Sequence, residues 1–567
     1  MTRIGASAEA TPPCRRGPPV KRPGAAGIGL EYDKFMTNTS PNIYRPAERA
    51  RSIKVCWLVV FSAGALLYVL TAQQGVSWQD SGSFQWRAIV GDYEGDLGLA
   101  LAHPLYIAAG QALHAAFGPA LPAALNAFSG IGMAVALANL AGLLMQITGR
   151  RWIALAIPAV AGVAHTAWWL GTIAEVYTWT AAGLTAELWL LVSLLHRPRW
   201  QTLSALALVS GLGWSLHNFA LLPLPVYLVA AGWLVASRRL RAKALAPAAG
   251  AYLAGAAPLL VMIVAEAFES GPVAAVLSAL FGDYRDAVLS SGGGSFFKAN
   301  AALTAMNFVN LLLPLAIVGW LSLPRLGKPA AAALAAITII ELLFFVRYPV
   351  PDQFTFFLPS LMVISLAAGL GADRLARKGR NWAAVVLGLC LLSLAGGPAL
   401  YAAAPSLARR AGVAPQRARA LPFRDEVRYW LVPWKHNEDS AQQFARAALG
   451  QVQPGSTIIA DETSAYPLRL AKRLAGARPD VTILNPQQAD DVTSLRGLAG
   501  AGRLYTVANV WPYVPTVIVE KFELVRDGVL FAAYPLPQPR LRPTTSPASQ
   551  GGTDEAAGAS SVTRTEG

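Results

Sequence analysis

The sequence predicts an all-α polytopic membrane domain followed by a small α/β domain, and three observations predict it. Only 14% of the 567 residues are charged and 54% are hydrophobic, against about 25% charged residues in a typical soluble chain. The mean hydropathy is +0.41. Apolar stretches recur at the length of roughly 20 residues that a helix needs to cross a bilayer, until the composition turns ordinary near residue 404.

About eleven spans are expected, at 55–72, 121–147, 152–170, 176–196, 200–216, 219–236, 245–266, 301–323, 330–346, 354–372 and 382–403. The first lies too far into the chain for an ordinary signal peptide, and Met36 is an alternative start. The connecting loops sort by charge. One set holds Arg45, Arg49, Arg51 and Lys54, then Arg150 and Arg151, Arg197 and Arg199, the cluster Arg238 to Lys243, Arg325 and Lys328, and finally Arg374, Arg377, Lys378 and Arg380. The other set holds only Arg87, Arg285, Lys298 and Arg347. Positive residues stay in the cytoplasm, so the first set and the N-terminus are inside, and an odd number of spans puts the C-terminal segment outside. Residues 98–117 are apolar enough to span, but counting them would put the arginine clusters outside. They are therefore read as a helix lying at the outer surface in the first outer loop, in keeping with the His103-Pro104 break and His114. The net charge of +15 resides in these short loops, which excludes a nucleic-acid binder.

Residues 1–44, rich in Pro, Gly and Arg, read as a disordered cytoplasmic tail, 45–403 as the transmembrane domain, 404–540 as an extracytoplasmic α/β domain and 541–567 as a disordered tail. Within the third, 456–461, 480–485 and 503–509 read as buried strands, and 440–452, 464–476 and 488–501 as helices. That alternation predicts a three-layer unit with a parallel sheet.

The outer loops collect the unusual polar residues: WQDSGSF at 78–84, DYEGD at 92–96, AHPLY at 102–106, AEVY at 174–177, His217-Asn218, and RYPVPDQF at 347–354. Each also has a plain reading. Asp80 before Ser-Gly fits a turn. Glu175, between two apolar runs, needs either a function or a buried partner, since an intramembrane charge costs about 2.5–3.5 kcal/mol on insertion scales. His103 fits an interfacial histidine, His217-Asn218 the end of a span, Asp352 a helix cap and Arg347 an interfacial anchor. Their convergence on one face is the signal. Three cysteines, two of them within apolar spans, suggest neither a disulfide framework nor a metal site. Asp92, Glu94 and Asp96 read as a solvated acidic loop, so no metal is expected, and no nucleotide-binding or hydrolase motif points to a cofactor.

The ordered set DSGSF, AHPLY, AEVY, HN and VPDQFTFFLP (350–359) resembles the protein O-mannosyltransferase-like family, whose members have the GT-C glycosyltransferase fold; LGQVQPGSTIIADETSAYPLRLAKRLAGARPDVTILNP (449–486) resembles the soluble tail of bacterial members. The likeness covers roughly 55–490. Two departures stand out. Ser83 replaces an acidic residue after Asp-Ser-Gly, and AHPLY lacks an inserted Pro-Gly-Tyr-Pro.

The resemblance implies an enzyme of the inner membrane that moves a mannose-like sugar from a polyprenyl-phosphate carrier to a hydroxyl of a protein or glycan acceptor on the outer face. Such chemistry needs one carboxylate base and positive charge for the leaving phosphate. Asp80 is then the general base, and Glu175 orients a hydroxyl or holds the first loop. His103, Arg347 and Arg87 are candidates for the phosphate; Asp352, His217 and Asn218 complete the substrate-binding set. A lipid or solute transporter, or a catalytically inactive scaffold, is the rival reading. Transporters commonly show internal repeats, and no convincing one is found in the sequence.

Overall fold

The computed structural model describes residues 46–289, 294–348, 350, 353–413, 419–489 and 491–536. The two tails expected to be disordered lie outside them, as do Asp352 and residues 290–293 of the Ser/Gly-rich loop.

The helical part begins with α1 Pro46–Thr71, α2 Gln79–Val90, α3 Pro104–Phe117, α4 Leu121–Thr148, α5 Arg151–Gly162, α6 His165–Leu170, α7 Tyr177–His196, α8 Trp200–Leu216 and α9 Leu224–Ala236. It continues with α10 Leu245–Ser270, α11 Pro272–Phe281, α12 Arg285–Leu289, α13 Gly294–Ala305, α14 Leu312–Trp320, α15 Lys328–Arg347, α16 Leu358–Ala376 and α17 Arg380–Arg410. Eight helical stretches among the described residues are long and apolar enough to cross a membrane. A ninth counts if Asn300–Phe308 and Leu312–Trp320, bent by 78°, form one span.

Three of the expected eleven fall outside this count. Residues 152–170 are two short helices, α5 and α6, rather than one. Segment 200–216 is a 17-residue helix, about 26 Å long. Segment 301–323 is the bent pair, whose break is filled by side chains: Asn307 Nδ2 donates to Thr166 Oγ1 at 2.9 Å, and Thr166 N donates to Asn307 Oδ1 at 2.8 Å. Residues 104–148 form one apolar helical stretch of 45 residues, about twice what a single crossing needs. It breaks at Gly118, whose φ of +52° suits glycine. The 14 residues of α3 rise about 21 Å, short of a bilayer core.

The arginine-rich loops meet at one end of the bundle. Asp373 pairs with Arg150 at 3.0 Å and Arg377 at 2.8 Å. Arg49 donates to Gln146 O, and Arg151 to Ser52 Oγ at 2.9 Å. At the far end of α1, Gln73 N donates to Thr172 O at 2.9 Å, and Lys435 N to Thr71 O at 2.8 Å. Between the ends, close helix crossings depend on small residues, as in other membrane bundles. A Cβ on Gly319 of α14 would stand 1.7 Å from Ala367 O, and one on Gly371 of α16 would stand 1.9 Å from Leu315 O.

Beyond the bundle, α18 Glu426–Leu431, α19 Ser440–Gln451, α20 Glu462–Ala475, α21 Val492–Gly500 and α22 Thr516–Lys521 accompany strands β1 Thr457–Ile459, β2 Thr482–Leu484, β3 Leu504–Thr506, β4 Phe522–Asp527 and β5 Leu530–Pro535. The strand order is β2-β1-β3-β5-β4. The three strands read from sequence pair in parallel, with Ile458 beside Ile483 and Tyr505. The sheet is nevertheless mixed, because β4 and β5 form an antiparallel hairpin whose β5 pairs with β3. Its two-residue turn is Gly528-Val529, closed by the Asp527–Leu530 pair, with Gly528 at φ +58°, and glycine leading such a turn is a strong hairpin signal.

This unit packs on α2. Trp78 Nε1 donates to Ser440 Oγ at 2.8 Å, and its ring lies 5.2 Å from Phe444. A Cβ on Gly82 would meet Ser77 O at 2.4 Å and Tyr466 Cβ at 3.1 Å, so glycine permits α2 and α20 to touch.

Gly371→Val is expected to destabilise the bundle by roughly 1–3 kcal/mol. Gly396→Val, where the added Cβ meets nothing within 4 Å, is the control. Thermal unfolding of the purified proteins checks this, and equal melting temperatures for the two variants would contradict the close crossing of α14 and α16.

Candidate active site

Asp80 lies in the first turn of α2 rather than in a free turn. Its carboxylate is exposed at a helix N-terminus, where the backbone dipole favours negative charge. A buried polar network fixes the start of this helix. Gln85 Nε2 donates to Ser77 Oγ and to Asn126 Oδ1, both at 3.1 Å, and Ser77 N donates to Gln85 Oε1 at 3.0 Å. Ser77 Oγ and Asn126 Nδ2 then reach Gln73, at 3.0 and 2.8 Å. Such a connected network specifies one arrangement.

Next to Asp80, Ser81 Oγ donates to Glu175 Oε1 at 3.0 Å. Glu175 is only 6% exposed, in the turn between α6 and α7. Its backbone is pinned as well. Glu175 N donates to Ser129 Oγ at 2.9 Å, Ser129 Oγ donates to Glu175 O at 3.0 Å, and Tyr106 Oη sits 2.8 Å from the same serine oxygen. Glu175 therefore joins α2, α3 and α4.

Two residues along, Tyr177 lies 5.1 Å from the His217 ring, which stacks on His103 at 5.0 Å and 20°. His103 in turn meets Phe84 of α2 edge-on at 5.5 Å, which closes a circuit back to Asp80. His103 has a left-handed backbone, φ +53°, uncommon outside glycine. Burial first, and then the nearby Arg87, push its imidazole down to about 3. Burial and the neighbouring His103 lower His217 as well. Both rings are thus neutral at neutral pH. His103 Nδ1 faces Leu216 O at 2.6 Å, and His217 Nδ1 accepts from Phe219 N at 3.1 Å. With the tautomers that these partners require, His103 offers Nε2 as an acceptor and His217 offers Nε2–H as a donor.

Arg87 is buried, with its guanidinium committed to the loop that follows it. It donates to the carbonyls of Asp92, Leu101 and Tyr93 at 3.1, 3.1 and 2.8 Å, and to that of Ala102 at 2.6 Å. It is placed as the internal brace of the first loop. Asn218 ties α8 to the end of α11, donating to Ala279 O at 2.8 Å. Arg347 is exposed at the end of α15, 3.5 Å from Leu289 O. Asp352 lies outside the described residues. Among the described residues, no three His, Cys, Asp or Glu side chains stand where they would hold a metal ion together.

Sequence reasoning missed Ser81, Tyr106 and Ser129, which look ordinary in the chain and matter only through Glu175. It also missed the collar at 419–435. Lys435 is buried there, 5.5 Å from the Trp169 ring and 4.4 Å from that of Tyr429. His165 Nε2 lies 2.9 Å from Trp430 O.

No protein-family model matches the chain, and no curated protein does. Solved structures do resemble it. ArnT from Cupriavidus metallidurans bound to undecaprenyl phosphate aligns with a TM-score of 0.52 at 15% identity, over 84% of this chain and 97% of that one. The chain has the GT-C fold. ArnT in the apo state aligns with a TM-score of 0.48 at 16% identity over the same shares, and the arabinosyltransferase EmbB from Mycobacterium smegmatis with 0.34 at 13% identity, over 62% of this chain and 33% of that one. In this GT-C chain the carboxylates and histidines sit at the end of the bundle that meets the C-terminal sheet, away from the arginine-rich loops.

The histidines give the fold a pH dependence. Unfolded, each takes a proton near pH 6.5; folded, His103 takes one only at about 3. The unfolded state then binds more protons between these values, so their contribution is full above about 6.5 and is lost as pH falls toward 3. The melting temperature of the wild type is expected to drop between about pH 7.5 and 5, and that of His103→Gln to drop less. Identical slopes would contradict a neutral buried His103.

Proposed function

We propose that the chain is a membrane glycosyltransferase that moves a sugar from a polyprenyl-phosphate carrier to an acceptor hydroxyl, with Asp80 as general base. The observation that carries the reading is the circuit Asp80–Ser81–Glu175–Tyr177–His217–His103 at one end of a GT-C bundle. ArnT, the structure that supports the fold, was solved with undecaprenyl phosphate. The N-terminus is inside by the positive-inside rule, which puts this end on the outer face, and the sheet domain is extracytoplasmic.

In the reaction, the acceptor oxygen attacks the anomeric carbon while Asp80 takes its proton. The new glycosidic C–O bond forms, and the bond to the carrier oxygen breaks. Polyprenyl phosphate leaves with the electron pair and needs no strong acid. Glu175, anchored through Ser81, fixes the start of α2 and so the position of Asp80. The neutral His217 Nε2–H donates to a phosphate or sugar oxygen. Arg347 is the cation offered to the leaving phosphate. Mannose and a protein or glycan hydroxyl are the substrates that the motif set supports.

Asp80→Asn is expected to lower release of polyprenyl phosphate from a labelled lipid-linked sugar by at least about 100-fold, within the usual range for a positioned base, with an unchanged melting temperature. Release at the wild-type rate would remove Asp80 from the mechanism. The bent pair Asn300–Phe308 and Leu312–Trp320 favours a transporter as the second reading, because broken helices recur in transporters. Sugar-lipid flux across proteoliposomes without release would establish it.

A further inference from the structure

Below the histidine pair the bundle holds two carboxylates that the proposed reaction does not use. Glu187, midway along α7, is 1% exposed, and Glu341, in the second half of α15, is 4% exposed. Both line one cavity together with Thr180, Gly183, Gly213 and Phe219. The cavity measures about 10 Å³, room for one water-sized occupant. Tyr227 of α9 donates to Glu187 Oε2 at 2.9 Å. Glu187 Oε1 is buried and makes no close hydrogen bond, and the hydroxyl of Ser210 on α8 is the nearby donor that faces this carboxylate. It lies 4.0 Å from where a Cβ on Gly213 would be, so it faces the cavity that Gly213 lines.

Negative charge at this depth needs compensation. No lysine or arginine lines the cavity, and none of the ion pairs among the described residues reaches either carboxylate. The titratable groups facing the pair from neighbouring helices are Tyr227 of α9 and Tyr252 of α10. The ring of Phe219, 4.2 Å from that of His217, separates the cavity from the carboxylates and histidines above.

The geometry points to a binding site for a single positive charge held between Glu187 and Glu341: a sodium ion in the cavity, or a proton carried on the carboxyl pair. One carboxylate oxygen without a close hydrogen bond, a second carboxylate lining the same cavity and a void sized for one occupant make the site. The two sources share one chemistry, compensation of buried negative charge, and two measurements on the full chain in lipid nanodiscs separate them.

The first is thermal unfolding at about pH 8, with sodium chloride exchanged for choline chloride at constant ionic strength. Sodium bound to the folded state raises the melting temperature with concentration, by about 2 °C or more in a chain of this size. Glu187→Gln removes the dependence. Gly183→Val keeps both carboxylates and fills space where an added Cβ meets nothing within 4 Å. It is expected to raise the half-saturating sodium concentration at least about tenfold. The second measurement is the infrared band of a protonated carboxyl at pH 7 in sodium-free buffer, lost in Glu187→Gln or Glu341→Gln. A sodium effect identifies the ion, and a carboxyl band without one identifies the proton. A wild-type protein with neither would overturn the site. These readouts are independent of transferase activity, so the site can fail while the proposed reaction stands.

Discussion

Glu175 is buried where the polar residues of the bundle gather, and three neighbours hold it. Ser81 bonds its side chain, Ser129 bonds its backbone in both directions, and Tyr106 steadies Ser129. Hydrogen bonds to a charged group contribute about 1.5–3 kcal/mol each, and leaving such a group unmatched costs more than the bond itself. The node therefore fixes the relative placement of three helices. Asp80 sits one residue from Ser81, Tyr177 two residues from Glu175, and the histidines follow through ring contacts. The placement of Ser81, Tyr177 and the ring contacts that follow is tied to that one acid.

The surrounding design serves the same end. Arg87 satisfies four carbonyls of the loop at 92–102, which water would otherwise have to solvate. Gly82 lets the C-terminal unit approach α2 closely enough for Tyr466 to pack there. Two neutral imidazoles stack where two charged ones would repel. This end of the bundle thus offers an exposed carboxylate, a neutral donor and a cation at its margin. That set suits transfer to a hydroxyl with phosphate as leaving group better than glycoside hydrolysis, whose alkoxide leaving group asks for a general acid.

Much of this is legible in the chain, and the rest is hidden for physical reasons. Apolar length places most helices, because crossing hydrocarbon leaves no other option. It cannot see the breaks at Val163 or between Phe308 and Leu312, which side chains distant in sequence repair. Alternation and apolar runs find β1 to β3. The β4–β5 hairpin is readable from Gly528, the first residue of its turn, but lies past the strand–helix alternation that predicts the parallel sheet. Asp80, Glu175, His103 and His217 are recognisable as a set, while Arg87 looks like a ligand cation until its four carbonyl partners are seen. Glu187 and Glu341 carry a plain signal in the chain, as ionisable residues inside apolar spans, but belong to none of the motifs at the bundle's end.

Where the polyprenyl carrier lies tests the central claim most directly. Purified protein in nanodiscs, irradiated with a polyprenyl phosphate carrying a photoreactive group beside the phosphate, yields cross-linked peptides that mass spectrometry can place. Adducts are expected in 79–106, 173–177 and 214–219, and to be displaced by unlabelled carrier. Adducts confined to the arginine-rich loops, or scattered along the bundle without competition, would contradict a carrier site at the Glu175 node.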